Sequence, residues 1–480
     1  MSFDSLQFAL FFPTVVLLYF LLPRRFRLFL LLPASYYFYM SWRPEYVVLI
    51  VLSTATAYWT GAVLDKTTDT AKRKSCVGIS LVINLGILFS FKYFNFLNGS
   101  IRGFFQNLGF TYPVPDLKFL LPVGISFYTF QVLSYTIDVY RGHTRHEKNP
   151  GILALYVSFF PQLVAGPIER SNRLLPQFFR NVSFDAARVS SGLRLMLWGF
   201  FKKILIADRL SVLVDQVYNN AGAYSGWPLI IATYAFAFQI YCDFSGYSDI
   251  AIGAARILGF DLMTNFRQPY LSRSVREFWT RWHISLSTWF RDYVYIPLGG
   301  VRVGTAKLYR NLAVVFLLSG LWHGAAWTFL VWGALHATLI IGSHVTKPFR
   351  SRAAHFLRFN KAPEASNVLR VFVTFHLVTF AWVFFRANSL PDAFHVIRTG
   401  FYGLGEGVTG DLGLNIVQLS IAVASIVVME IVQSLHAHGL LDKIRRRSPV
   451  AVRWAVYAMV VLVLLNLRTP IRSPFIYFQF

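Results

Sequence analysis

His323 and His336 lie in NLAVVFLLSGLWHGAAWTFLVWGALHATLIIG, residues 311–342, which holds no acid, Lys or Arg between Asn311 and Gly342. An ionisable side chain is costly to place in hydrocarbon, so a histidine in such a run is a functional candidate. An imidazole with an ordinary pKa near ~6.5 can take a proton from an attacking hydroxyl and return it to a leaving group. No Ser-His-Asp arrangement is evident, and a histidine general base fits better than a protein nucleophile. The two histidines are thirteen positions apart, about 20 Å along a continuous helix and on a different face. They can share a site only if the helix breaks, at Ser319-Gly320 or at Gly324, since glycine is where such helices kink. Trp322 and Trp327 supply bulk around His323, and Gly320 and Gly324 leave room for close approach. The run has no acidic or Cys partner and no HExxH spacing, which argues against a metal. For His336, a hydrogen bond to a backbone carbonyl stands as the structural alternative.

A second cluster is NFRQPYLSRSVREFWTRWHISLSTWFRDYVYIPLGG, residues 265–300. Treated as one helix, it gathers Phe278, Trp279, Trp282, Leu286, Trp289, Phe290 and Tyr293 within an arc of roughly 120°. Arg276 and His283 fall just outside one edge of that face, where a polar group could look into a cavity. Arg267, Arg273, Arg281, Arg291, Arg302, Lys307 and Arg310 make this the densest basic region of the chain. Two interpretations stay open: a membrane-surface helix drawn to anionic headgroups, or a docking surface for an anionic donor. Upstream, Gln239 and Asp243 share a helical face within the apolar run 228–258, and Asp249 lies on another. They read either as hydrogen bonds holding a bundle together or as an ion path.

The elements that must position these residues are apolar. Of 480 residues, 55% are hydrophobic and 14% charged, where a soluble domain carries roughly a quarter charged. The chain therefore reads as an all-α polytopic membrane protein, with short, kinked or re-entrant segments where Gly and Pro interrupt the runs. Its net charge of +24 is scattered through short loops. That distribution suits positive-inside topology and not nucleic-acid binding. Cys76 and Cys242 are too few for a disulfide framework. Apolar runs near 7–22, 28–42, 46–64, 75–97 and 119–140 alternate basic with sparsely charged loops. The alternation places the N-terminus outside, as a retained span, and the loops at 23–27, 65–74 and 141–150 in the cytoplasm. Residues 151–227 read as interfacial or half-inserted helices, and 345–370 as a polar loop. Runs near 371–385, 416–435 and 450–466 close the chain.

Several ordered blocks carry a resemblance: LPVGISFYTFQVLSYTIDVYRG, FFPQLVAGPIER, WGFFKKILIADRL, YCDFSGYSDIAIGAARILGF, the 265–300 segment, LSGLWHGAAWTFLVWGALH and the terminal FIYFQF. Through them the sequence resembles the membrane-bound O-acyltransferase family, in its bacterial alginate O-acetyltransferase-like branch. The resemblance implies a ring of about eleven tilted transmembrane helices with re-entrant and interfacial helices. It implies one acyltransferase domain over residues 1–480, with N-terminal spans (1–150), a catalytic core (151–345) and C-terminal spans (346–480). It also implies His323 as the catalytic histidine and His283 as the second polar position of the site.

Arg276, Arg281, Trp282, Ser285, Trp322 and His336 are the expected substrate-binding residues. The donor expected is acetyl-CoA or another acyl thioester, with no bound cofactor and no metal. Membrane lipid, an exported polysaccharide and a periplasmic or membrane-anchored acetyltransferase are the expected partners, at a bacterial inner membrane. Peptidoglycan O-acetylation and D-alanyl transfer to teichoic acid are enzymatic alternatives. A proton-coupled transporter using Asp243, Asp249 and the histidines is the alternative of a different class.

Overall fold

Local capping chemistry sets many helix ends. Asp69 accepts from the Ala71 and Lys72 backbone N–H groups, Asn149 caps a helix with Pro150 in its first turn, and Asn415 accepts from Gln418 N–H at 2.9 Å. Each satisfies backbone donors that have no partner inside the helix. The computed structural model describes residues 1–164, 166–356, 362–407, 410–469 and 473–478, and among them it contains helices and no strand. Ala165, Arg358 in the 345–370 stretch, and the last two residues of the FIYFQF block lie outside the described residues.

The described residues form two compact units, Met1–Met196 with Ser248–Thr264, and Leu197–Tyr247 with Asn265–Phe480. The first holds α1 (Leu6–Leu21), α2 (Arg24–Met40), α3 (Val47–Lys66), α4 (Thr70–Leu88), α5 (Phe94–Asn107), α6 (Ile125–Arg141), α7 (Pro150–Ser158), α8 (Phe160–Leu163), α9 (Ser171–Leu174) and most of α10 (Ala186–Phe200). In it, α3, α4 and α6 pack on one another and α2 packs on α7. Inside this unit the Asn84 amide donates to Thr56 Oγ1 at 3.0 Å, a polar link between α4 and α3.

The second unit contains α11 (Asp208–Tyr218), most of α12 (Trp227–Ile257), α13 (Val275–Arg281), α14 (Ile284–Phe290), α15 (Thr305–His323), α16 (Trp327–Val345), α17 (Lys347–Phe356), α18 (Pro363–Arg386), α19 (Leu390–Thr399), α20 (Ile416–Ala437), α21 (Leu440–Arg447) and α22 (Val450–Asn466). A π-helical turn, Phe201–Ala207, joins α10 to α11 and packs against α20 and α22. One segment differs from expectation. The 345–370 stretch is helical over Lys347–Phe356 and again from Pro363; each proline falls in the first turn, where its missing N–H costs no helix bond, and Arg and Ala favour the turns that follow. The 228–258 run is one continuous helix, since nothing in QIYCDFSGYSD deprives the backbone of a donor.

Six described helices are long and apolar enough to cross a membrane, and the bent pair α21–α22 would make a seventh. The chain is a multi-pass membrane protein. This count stands below the eleven expected because runs such as Leu6–Leu21 are shorter.

Candidate active site

The 311–342 stretch is a helical hairpin. α15 ends on His323, Gly324 is extended (φ −158°, ψ 150°), and α16 begins at Trp327. The expected break therefore falls at Gly324. Small residues let the two arms meet: a Cβ on Gly320 would stand 2.3 Å from the Phe329 carbonyl oxygen, and one on Gly333 the same distance from that of Phe316. This contact holds His323 at the mouth of a rigid pair.

The 275–293 segment is not the single amphipathic helix expected. α13 stops at Arg281, Trp282 is extended, and His283 adopts the left-handed conformation (φ 42°, ψ 55°) before α14 starts. A non-glycine residue seldom sits there, and the surrounding structure has to enforce it. Asn265 does part of this. Its backbone carbonyl accepts from Ile284 N–H at 2.9 Å, and its side-chain Oδ1 accepts from the Ser285 hydroxyl at 3.0 Å and Ser285 N–H at 3.2 Å. Arg267 N–H donates to the Arg281 carbonyl at 2.9 Å. The wheel failed because helical periodicity cannot register a partner twenty residues away.

The two breaks bring His283 and His323 together, with ring centroids 6.4 Å apart. Both are buried, at 0% and 2% exposure. Trp322, Trp332, Phe385 and Tyr477 surround His323 at centroid distances of 5.0, 5.0, 5.2 and 5.6 Å. Phe244 lies 4.6 Å from His283, with Trp322 at 5.6 Å and Tyr477 at 6.2 Å. Two imidazoles buried together in an aromatic enclosure can exchange a proton with a reacting group.

The other expected residues separate. Trp322 is in the enclosure. Trp282 is buried one layer behind, 5.1 Å from both Phe266 and Trp382. The Ser285 hydroxyl is committed to Asn265, so its position argues for support of His283. Arg281 pairs with Glu277 at 2.6 Å, and Arg276 is exposed on α13. His336 is buried beyond Trp332, whose ring is 4.8 Å away, and its Nδ1 accepts from the Trp279 indole N–H at 3.2 Å. The hydrogen bond of His336 is thus to an indole and not to a carbonyl, and the proton of the neutral ring sits on Nε2. Arg267, Arg273, Arg276, Arg291, Arg302, Lys307 and Arg310 are all exposed, which suits a headgroup-binding surface and a donor-docking surface alike. Among the described residues no three His, Cys, Asp or Glu side chains converge as a metal site.

The model of the membrane-bound O-acyltransferase family matches residues 36–385. This chain belongs to that family. The acyltransferase is 37% identical to the probable alginate O-acetylase AlgI of Azotobacter vinelandii, over the whole length of both chains. It is 41% identical to the probable alginate O-acetylase AlgI of Pseudomonas aeruginosa over 84% of this chain and 75% of the relative. The peptidoglycan O-acetyltransferase of Helicobacter pylori is 35% identical over 77% of this chain and 73% of the relative. In this acyltransferase, sequence reasoning missed Asn265, Lys203 and Tyr477. Asp243 has a basic partner distant in sequence: Lys203 Nζ lies 2.8 Å from its Oδ1. Lys203 was visible beside Lys202 in FFKK, but only a π-helical turn aims it inward.

Proposed function

We propose that this acyltransferase takes an acetyl group from a cytoplasmic thioester, acetyl-CoA or another acyl carrier, and passes it across the bacterial inner membrane for O-acetylation of an exported, alginate-like polysaccharide. The names and full-length similarity of the alginate O-acetylases support the substrate class. The observation that carries the chemistry is the buried pair His283–His323, 6.4 Å apart on two broken helices. His323 is the general base. It takes the proton of the attacking hydroxyl as the new C–O bond forms, the C–S bond breaks, and the proton passes to the departing thiolate. His283 orients donor or acceptor beside it, with Trp322 lining the site and Trp282, Ser285 and His336 in its support. Arg276 and the exposed basic residues around it attract the donor's phosphates, with Arg281 beside them.

A periplasmic or membrane-anchored acetyltransferase completes the transfer, and the N-terminus lies in the periplasm, as the loop charges require. The whole chain acts as a single acyltransferase.

The test is polymer-bound acetyl in cells lacking the gene and complemented with wild type or His323→Ala at matched membrane levels. The expected result is a loss of about 10²- to 10⁴-fold, the usual worth of a general base. Full acetylation by His323→Ala would make the residue structural. Transport of an intact solute without thioester consumption would instead favour the transporter.

A further inference from the structure

The C-terminal segment is tied to the helices by buried charge. Lys203 Nζ sits 2.8 Å from Asp208 Oδ1 and 2.8 Å from Asp243 Oδ1, and all three side chains are at most 7% exposed. Two further bonds leave this cluster for the tail: Lys203 Nζ donates to the Ser473 carbonyl at 3.0 Å, and Ile476 N–H donates to Asp243 Oδ2 at 2.7 Å. A carboxylate already paired with a cation keeps further acceptor lone pairs, and a backbone N–H is a donor suited to one of them. α12 comes close enough to take part because residue 246 is glycine. A Cβ there would be 2.8 Å from the Gly199 carbonyl and 3.2 Å from Lys203 N. Phe475 packs on Tyr247 with centroids 4.3 Å apart, and Tyr477 on Phe244 at 4.5 Å. Tyr477 also lies 5.6 Å from His323 and 6.2 Å from His283, ring centroid to centroid.

We propose that Lys203 and Asp243 form a latch that holds Ser473–Tyr477 in place, so that the C-terminal segment supplies a wall of the active site. The two are positioning residues for the reaction proposed above, and the inference rests on that reading. Both reach the tail backbone directly, Lys203 at the Ser473 carbonyl and Asp243 at the Ile476 N–H, as a positioning role requires.

The test uses the full-length protein and two readouts, polymer acetylation per unit of membrane protein and hydrogen exchange of the peptide covering 473–478. Ile476→Pro removes the N–H that Asp243 accepts and leaves every buried charge intact, and Ile476→Ala keeps that N–H. Both variants remove the buried Ile476 side chain, so Ile476→Ala is the reference: relative to it, Ile476→Pro should show exchange in the tail at least tenfold faster and acetylation at least tenfold lower. Asp243→Asn should behave like Ile476→Pro. If it does not fold, Ile476→Pro alone decides.

Ile476→Pro with wild-type acetylation, or with the tail as protected as before, overturns the latch. His323→Ala keeps the two claims apart. It should lose acetylation while the tail stays protected, and if it keeps acetylation the chemistry assigned to His323 fails whatever the tail does.

Discussion

At the residue scale, burial is tolerated where a partner is supplied and tunes chemistry where it is not fully offset. Glu169, in the connection between α8 and α9, is fully buried. Desolvation pushes its carboxyl up to about 7, against a hydrogen bond from Met263 N–H and the charges of Arg173 and Arg170. A carboxyl raised in the folded state binds a proton that the unfolded chain has already released. Its contribution to stability is present below the ordinary value of 4.5 and is lost as pH rises through about 7. In detergent, the thermal midpoint of the wild type should fall between pH 5 and 8 by more than that of Glu169→Gln. Equal slopes would mean that the carboxyl titrates normally. His283 shows a different use of environment, since its left-handed backbone is held by Asn265 across the fold.

At the scale of elements, the site depends on two helix breaks and one close helix pair. The hairpin of α15 and α16 admits no side chain at Gly320 or Gly333. Gly320→Ala or Gly333→Ala must push backbone atoms apart, at a cost of about 1–3 kcal/mol by the general behaviour of overpacked cores. Both variants should lower the thermal midpoint and acetylation together, because His323 ends the displaced arm. Gly342→Ala is the control, with open space around its Cβ. Wild-type activity in Gly320→Ala would show that the arms can separate without disturbing His323.

At the scale of the whole molecule, the charge pattern makes a topological prediction. Thr111 is exposed after α5, in a sparsely charged loop, and Thr68 is exposed between α3 and α4, beside Lys66, Lys72, Arg73 and Lys74. The native Cys76 and Cys242 are buried, so an introduced cysteine should dominate labelling. With the outer membrane permeabilised, Thr111→Cys should react with an impermeant maleimide in otherwise intact cells. Thr68→Cys should react only after the inner membrane is opened. The reverse pattern would invert the assigned orientation.

Composition and hydropathy alone determined that the chain is helical and multi-pass, because spans need only length and apolarity. His323 stood out as an ionisable residue in an apolar run, His283 as a polar residue at the edge of an aromatic face, and the family resemblance of the WHG and RWHISLS blocks joined them; Gly324 was one of two breaks the sequence allowed. Tertiary structure decided what those residues meet. The break at His283 depends on Asn265, eighteen positions earlier. The partner of Asp243 is forty positions away on a π-helical turn, and the tail that reaches both histidines follows more than two hundred positions later. Periodicity records which face of an element is apolar. It carries no record of which distant backbone group will satisfy a buried charge, as Ile476 N–H does for Asp243.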